Sequence, residues 1–154
     1  MSSGEEHEKA VKILATPLFF LVIFFFNFEI AVLFIISFIV GGIWLSPDLD
    51  TQSKPLKRWG GLKIIWFPYR TLIKHRSILS HFPIIGSLLR ITYIMGILVS
   101  ISMTLSIFNI NIIEINPGII LNFIQSHPDK IIPIGLGVEI SAIIHLLQDN
   151  YFYI

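Results

Sequence analysis

The strongest constraint on the fold lies in the first third of the chain. Ile13–Phe26 and Ile30–Leu45 are almost wholly apolar and are separated by Asn27-Phe28-Glu29. Neither run carries the polar stripe that a helix on a soluble surface needs, so lipid is the economical partner. A single helix through both would need roughly 40 residues, about twice what a bilayer requires. It would also hold Asn27 and Glu29 near mid-membrane, at a cost of about a few kcal/mol. A tight hairpin at Asn27-Phe28-Glu29 avoids both problems, so two helices are expected, over about 4–26 and 29–45.

The rest of the chain fits that reading. Of its 154 residues 54% are hydrophobic and only 14% charged, with a mean hydropathy of +0.78, which is more apolar than a soluble domain. The length suits one domain, 1–154. A net charge of +1 gives no sign of a nucleic-acid partner, and the absence of cysteine excludes thiolate metal sites and disulfides. The N-terminus lacks the features of a cleaved leader. Glu5, Glu6 and Glu8 outnumber Lys9 and Lys12, and no small-residue cleavage motif follows the apolar run, so the first segment is expected to stay.

Two further helices are expected over about 80–107, with Pro83 in its first turn, and about 132–150. Ile119–Ile124 reads as a short interfacial helix. The expected fold class is therefore all-α: an integral membrane bundle of about four transmembrane helices. Its 46–79 loop is basic and interfacial, with Trp59, Trp66 and Tyr69 at the bilayer surface. Four spans put both termini and this loop on one side. Lys54, Lys57, Arg58, Lys63, Arg70, Lys74 and Arg76 lie in the loop, whereas Lys130 is alone in the opposite connections. By the positive-inside rule the loop side is expected to be cytoplasmic.

Most of the remaining polar chemistry gathers at the segment ends on that side. His7 lies one turn into the first helix, and Ser46-Pro47-Asp48-Leu49-Asp50 follows the second. His75 and His81 bracket the entry to the third, and His145 and Asp149 are four apart near the end of the fourth. That last spacing puts an imidazole and a carboxylate on one helical face. Asp48 and Asp50, alternating in an extended turn, either converge on a cation or divide the work, one binding and one orienting a histidine. Together these are seven nitrogen and carboxylate ligand candidates: His7, Asp48, Asp50, His75, His81, His145 and Asp149. Such a set suits zinc, with manganese, iron and cobalt as alternatives, as one ion or two. Deeper in the membrane, Arg90 and Glu139 fall at similar depths and are expected to pair. His127 and Asp129 fall on the opposite side and are expected to be bystanders.

Several ordered pieces carry a resemblance: Gly4 to His7, Ser46-Pro47-Asp48-Leu49-Asp50, Arg58-Trp59-Gly60, Pro68-Tyr69-Arg70, His75-Arg76-Ser77 with Ser80-His81, and His145 with Asp149. Over nearly the whole chain they resemble a family of uncharacterised membrane proteins described as metal-binding. That family looks related to bacterial membrane-bound metal-dependent hydrolases. More remotely, it is similar to zinc-dependent phospholipase C and single-strand nucleases. The resemblance implies His7, Asp48, His75, His81, His145 and Asp149 as ligands, with Asp50 as ligand or base. The chain departs from the family pattern at Glu5-Glu6 and at Phe82.

The leading expectation is a metal-dependent hydrolase of a phosphoester or lipid-like substrate at the cytoplasmic face. A metal would acidify water, Asp50 would accept its proton, and Arg76 or Arg70 would hold phosphate. A noncatalytic metal-binding scaffold or sensor is the alternative. A metal-ion transporter fits less well, because transport sites gather near the midplane.

Overall fold

The computed structural model describes residues 4–75, 77–108, 110 and 115–151. Arg76, the expected phosphate ligand, lies outside the described residues. Among them the fold is all-α, with eight α-helices: α1 Gly4–Phe25, α2 Phe28–Ile43, α3 Lys54–Arg58, α4 Phe67–Leu72, α5 Ile78–His81, α6 Ile85–Ile107, α7 Pro117–Ser126 and α8 Pro128–Tyr151. Two 3-10 stretches, Pro47–Asp50 and Gly60–Trp66, join them.

Among the described residues, three segments are long and apolar enough to cross a membrane: Phe28–Asp50, Ile85–Ile107 and Pro128–Asp149. α1 is not among them. Glu8, Lys9 and Lys12 occupy its first turns, and the apolar part that follows, Ile13–Phe25, spans about 20 Å at ~1.5 Å per residue. A hydrocarbon core is about 30 Å thick.

The chain turns between α1 and α2 at Asn27. Its side chain accepts the Ile30 N–H at 2.9 Å and so starts α2 as an N-cap. α2 then packs closely on α8 through small residues. A Cβ added at Gly41 would lie 2.9 Å from the Val138 Cα, and one at Gly137 would lie 2.9 Å from the Phe38 backbone nitrogen. Without hydrophobic driving force in lipid, such close backbone approach is what holds helices together. α1 closes against the same helix, where Gly42 admits the Val11 side chain. Val11, Phe34, Phe38 and Ile43 form the core of this three-helix unit.

The 46–79 segment is more compact than an interfacial loop. Leu49, Leu56, Trp66 and Tyr69 form a second core, with Trp66 0% and Tyr69 2% exposed. The expectation that these two aromatics sit at the bilayer surface is therefore corrected. They pack on each other and on Tyr93 of α6, and the Tyr93 hydroxyl donates to the Ile65 carbonyl. Arg58 Nη1 and Trp59 Nε1 close the open end of α2 by donating to the carbonyls of Ile43 and Trp44.

The expected third helix is broken. Ser80 and His81 belong to α5, and α6 starts only at Ile85. Between them Ile84 has φ +67, a left-handed value that is strained for a β-branched residue. The break is held from both sides. Arg90 Nη1 donates to the Ser80 carbonyl at 2.8 Å, and the Ile84 N–H donates to Glu139 Oε1 of α8 at 2.8 Å. Arg90 and Glu139 therefore do not pair directly, contrary to the expected intramembrane ion pair. Each satisfies a backbone group that the break leaves open. α8 also begins earlier than expected, because Pro128 takes the first helical position. Ile119–Ile124 falls inside α7, which leaves Ile119, Leu121, Phe123 and Ile124 exposed.

Candidate metal centre

The start of α1, the end of α2, α5 and the last turns of α8 meet at one end of the structure. His7 and His145 are buried there with rings stacked 3.9 Å apart. His7 Nδ1 lies 2.9 Å from Gln148 Oε1. With that carbonyl oxygen as acceptor, Nδ1 carries the proton and Nε2 keeps its lone pair. The bare Nε2 faces Asp149 Oδ1 at 3.2 Å.

His145 is arranged in a similar way. Its Nδ1 is 3.5 Å from Ser46 Oγ. Its Nε2 is buried without a hydrogen-bond partner, 3.4 Å from Asp48 Oδ1 and 3.6 Å from Asp149 Oδ2. Four bonds of ~2.0–2.1 Å in a tetrahedral shell put ligand atoms roughly 3.4 Å apart, so these separations match the edges of such a shell.

Asp48 and Asp50 do not converge. Pro47 starts a 3-10 turn over Pro47–Asp50, with Ser46 as its N-cap, instead of the expected extended turn. At about three residues per turn, residues two apart point in different directions, and Leu49 between them fills the core at 0% exposure. Asp48 turns toward His145, whereas Asp50 turns toward His75 and His81. The Asp48 carbonyl accepts Ser53 Oγ at 2.7 Å and Thr51 Oγ1 at 3.1 Å, which fixes the turn.

The Asp50 side chain is fully buried. Its Oδ1 accepts from His75 Nδ1 at 2.9 Å, while Oδ2 has no hydrogen-bond partner and lies 3.6 Å from His81 Nδ1. His81 stands between the two carboxylates, with Nδ1 2.8 Å from Ser80 Oγ and Nε2 4.0 Å from Asp48 Oδ1, again unpartnered. Burial pushes the His81 imidazole below its ordinary pKa, while Asp50 pulls the other way. The net effect favours the neutral, metal-binding form.

Two groups could thus hold a cation. Ligand atoms of Asp48, His81, His145 and Asp149 all lie within 4.8 Å of one another, and so do those of Asp50, His75 and His81. His7 is outside both groups, yet touches the first through its ring stack and its approach to Asp149. Among the described residues, no Lys or Arg comes within 4.0 Å of Asp48, Asp50 or Asp149, whose ion-pair partners are all histidines. His127 stacks on Phe123, and neither it nor Asp129 joins the cluster. Sequence reasoning missed Gln148, Ser80 and the role of Arg90. The hint for Gln148 was its place one turn after His145.

The fold and this centre define a helical protein with three candidate membrane spans and a His/Asp cluster able to bind metal. The chain belongs to the family described as uncharacterized metal-binding protein (DUF2227), whose model matches residues 2–153. It is also 43% identical over 60 residues to an uncharacterized protein of Aquifex aeolicus (strain VF5). That stretch is 38% of this chain and 42% of the relative, so the match spans less than half of either. No solved structure matches the chain.

Proposed function

We propose that the protein is an integral membrane metal centre, with α1 as a fourth helix of the bundle and the centre at the cytoplasmic face, and that it hydrolyses a phosphoester or lipid-like substrate. One observation carries the metal reading. Asp50 Oδ2, His81 Nε2 and His145 Nε2 are buried, unpartnered and gathered around three carboxylates that, among the described residues, have no Lys or Arg within 4.0 Å. Buried charge of that kind is costly unless a cation compensates it. Asp48, His81, His145 and Asp149 fit one ion, with zinc the best match to a nitrogen and carboxylate donor set. Asp50 and His75 offer ligands for a second, or else Asp50 serves as base; His81 lies in reach of both positions and as a neutral imidazole would serve one of them. His7, whose Nε2 lies 3.2 Å from Asp149 Oδ1, adds a further nitrogen donor beside Asp149, and Gln148 sets its tautomer.

Hydrolysis rests on the ligand chemistry and on the resemblance drawn from the sequence. A bound divalent cation supplies the charge that acidifies water and polarises a phosphoryl oxygen. Asp50 Oδ2 is placed to accept a proton, because His75 already occupies Oδ1. The excess of Lys and Arg in 54–76 over the opposite connections supports the cytoplasmic assignment.

Turnover of a generic phosphodiester by detergent-purified, zinc-loaded protein tests the reading. Activity should depend on metal and fall on the order of a hundred-fold or more in Asp50→Asn, if that group moves the proton. Stoichiometric metal without any turnover would leave the noncatalytic scaffold or sensor as the function.

A further inference from the structure

A second polar site lies outside the His/Asp cluster and shares no residue with it. Lys57, Lys63 and Arg70 line one cavity of about 600 Å³, together with Gln52. The neighbouring cations are otherwise engaged: Lys54 pairs with Glu5 and Arg58 with Glu8. Among the described residues, Lys57, Lys63 and Arg70 have no carboxylate within 4.0 Å. Arg70 is half-buried, and its Nε is buried without a hydrogen-bond partner. Three like charges around one hollow repel each other, and a buried guanidinium N–H left unmet is costly. An anion in the cavity removes that repulsion.

The apolar part of the lining narrows the class of anion. Ile64 and Phe67 belong to the same cavity and are 74% and 61% exposed. Leu62 and Leu72, on the same segment, are 63% and 79% exposed. Cations above exposed aliphatic and aromatic side chains suit an amphiphile at a bilayer surface, with its phosphate on the Lys and Arg groups and its chains beside Ile64 and Phe67. Arg70 adds the planar fork that recognises phosphate.

From these features we infer that the Lys57/Lys63/Arg70 cavity binds the phosphate headgroup of an anionic membrane lipid. The site needs neither the metal nor turnover, so its test is independent of the metal reading. The full chain in detergent is titrated with phosphatidylglycerol, phosphatidylcholine and inorganic phosphate, and binding is read by native mass spectrometry. Phosphatidylglycerol should bind in preference to phosphatidylcholine, with equal affinity in the presence and absence of EDTA. The double variant Lys57→Gln/Lys63→Gln, at two exposed positions, should weaken phosphatidylglycerol binding about thirty-fold, from roughly 1 kcal/mol per cation at a membrane surface. Arg70→Gln should weaken it as well, while Lys54→Gln should not. Wild-type affinity in the double variant would overturn the inference. So would displacement of the lipid by millimolar inorganic phosphate, which would mark a free-phosphate site.

Discussion

His7 and His145, contributed by the first and last helices, stack 3.9 Å apart and face one carboxylate, Asp149. The contact ties the beginning of the chain to its end across the His/Asp cluster. Gln148 holds the His7 Nδ1 proton, so the lone pair of Nε2 is directed at Asp149. Two lone-pair donors repel unless a cation lies between them, so His7 Nε2 adds a nitrogen donor to the site and Gln148 orients it; loss of such a partner typically lowers metal affinity by about 10–100-fold. Both His7→Ala and Gln148→Leu should fall in that range, read by competition with a chromophoric chelator. Affinity unchanged in both would remove His7 from the account.

Arg90 acts on the cluster at a distance. By donating to the Ser80 carbonyl it fixes the residue before His81. Gly86 packs against the same carbonyl, where an added Cβ would lie 2.5 Å from the oxygen. Arg90→Met should destabilise the protein by about 1–3 kcal/mol through the unmet carbonyl, read as a lower Tm in detergent. The charge swap Arg90→Glu with Glu139→Arg should recover none of that loss, since the two side chains serve different backbone groups. Recovery of the wild-type Tm in the swap would restore the direct pair.

The α2–α8 contact depends on the absence of side chains. Gly137 lies against the Ser37 side chain and the Phe34 carbonyl. Gly137→Val should cost about 1–3 kcal/mol by overpacking, whereas Gly96→Ala, at a glycine with open space around it, should be close to neutral. Circular dichroism melts of both variants separate close packing from a general intolerance of substitution.

Acid should loosen the metal-free protein. Burial lowers the His81 pKa below its ordinary 6.5. Between the folded and ordinary values the unfolded chain holds a proton that the folded chain lacks, so stability rises with pH there. It is fully present above about 6.5 and falls as acidification passes down to the folded pKa. EDTA-treated wild type should therefore lose Tm as the pH falls below about 6.5, and His81→Gln should lose less. The same slope in the variant would exclude His81 as its source.

Much of this was legible in the sequence, for physical reasons that differ by element. The hairpin at Asn27 followed from bilayer thickness and from the cost of placing Asn27 and Glu29 near mid-membrane. The pairing of His145 with Asp149 followed from helical period. The geometry of Asp48-Leu49-Asp50 did not, because the distinction between an extended and a 3-10 turn rests on how Leu49 meets its core. Trp66 and Tyr69 looked interfacial by residue type, yet the compaction of 54–72 buried them. The break at Phe82-Pro83-Ile84 escaped notice because Pro83 is tolerated in a first helical turn. Arg90 and Glu139 were read as partners because their depths match, while the open backbone groups of that break took both.

The central claim is that the His/Asp cluster binds metal. Metal analysis by plasma mass spectrometry, on protein purified in detergent without chelator, tests it most directly. Wild-type protein should carry a stoichiometric transition metal, zinc first, and Asp48→Ala and His145→Ala should lose most of it while remaining helical. Wild-type protein free of metal, or variants that retain the wild-type complement, would contradict the account.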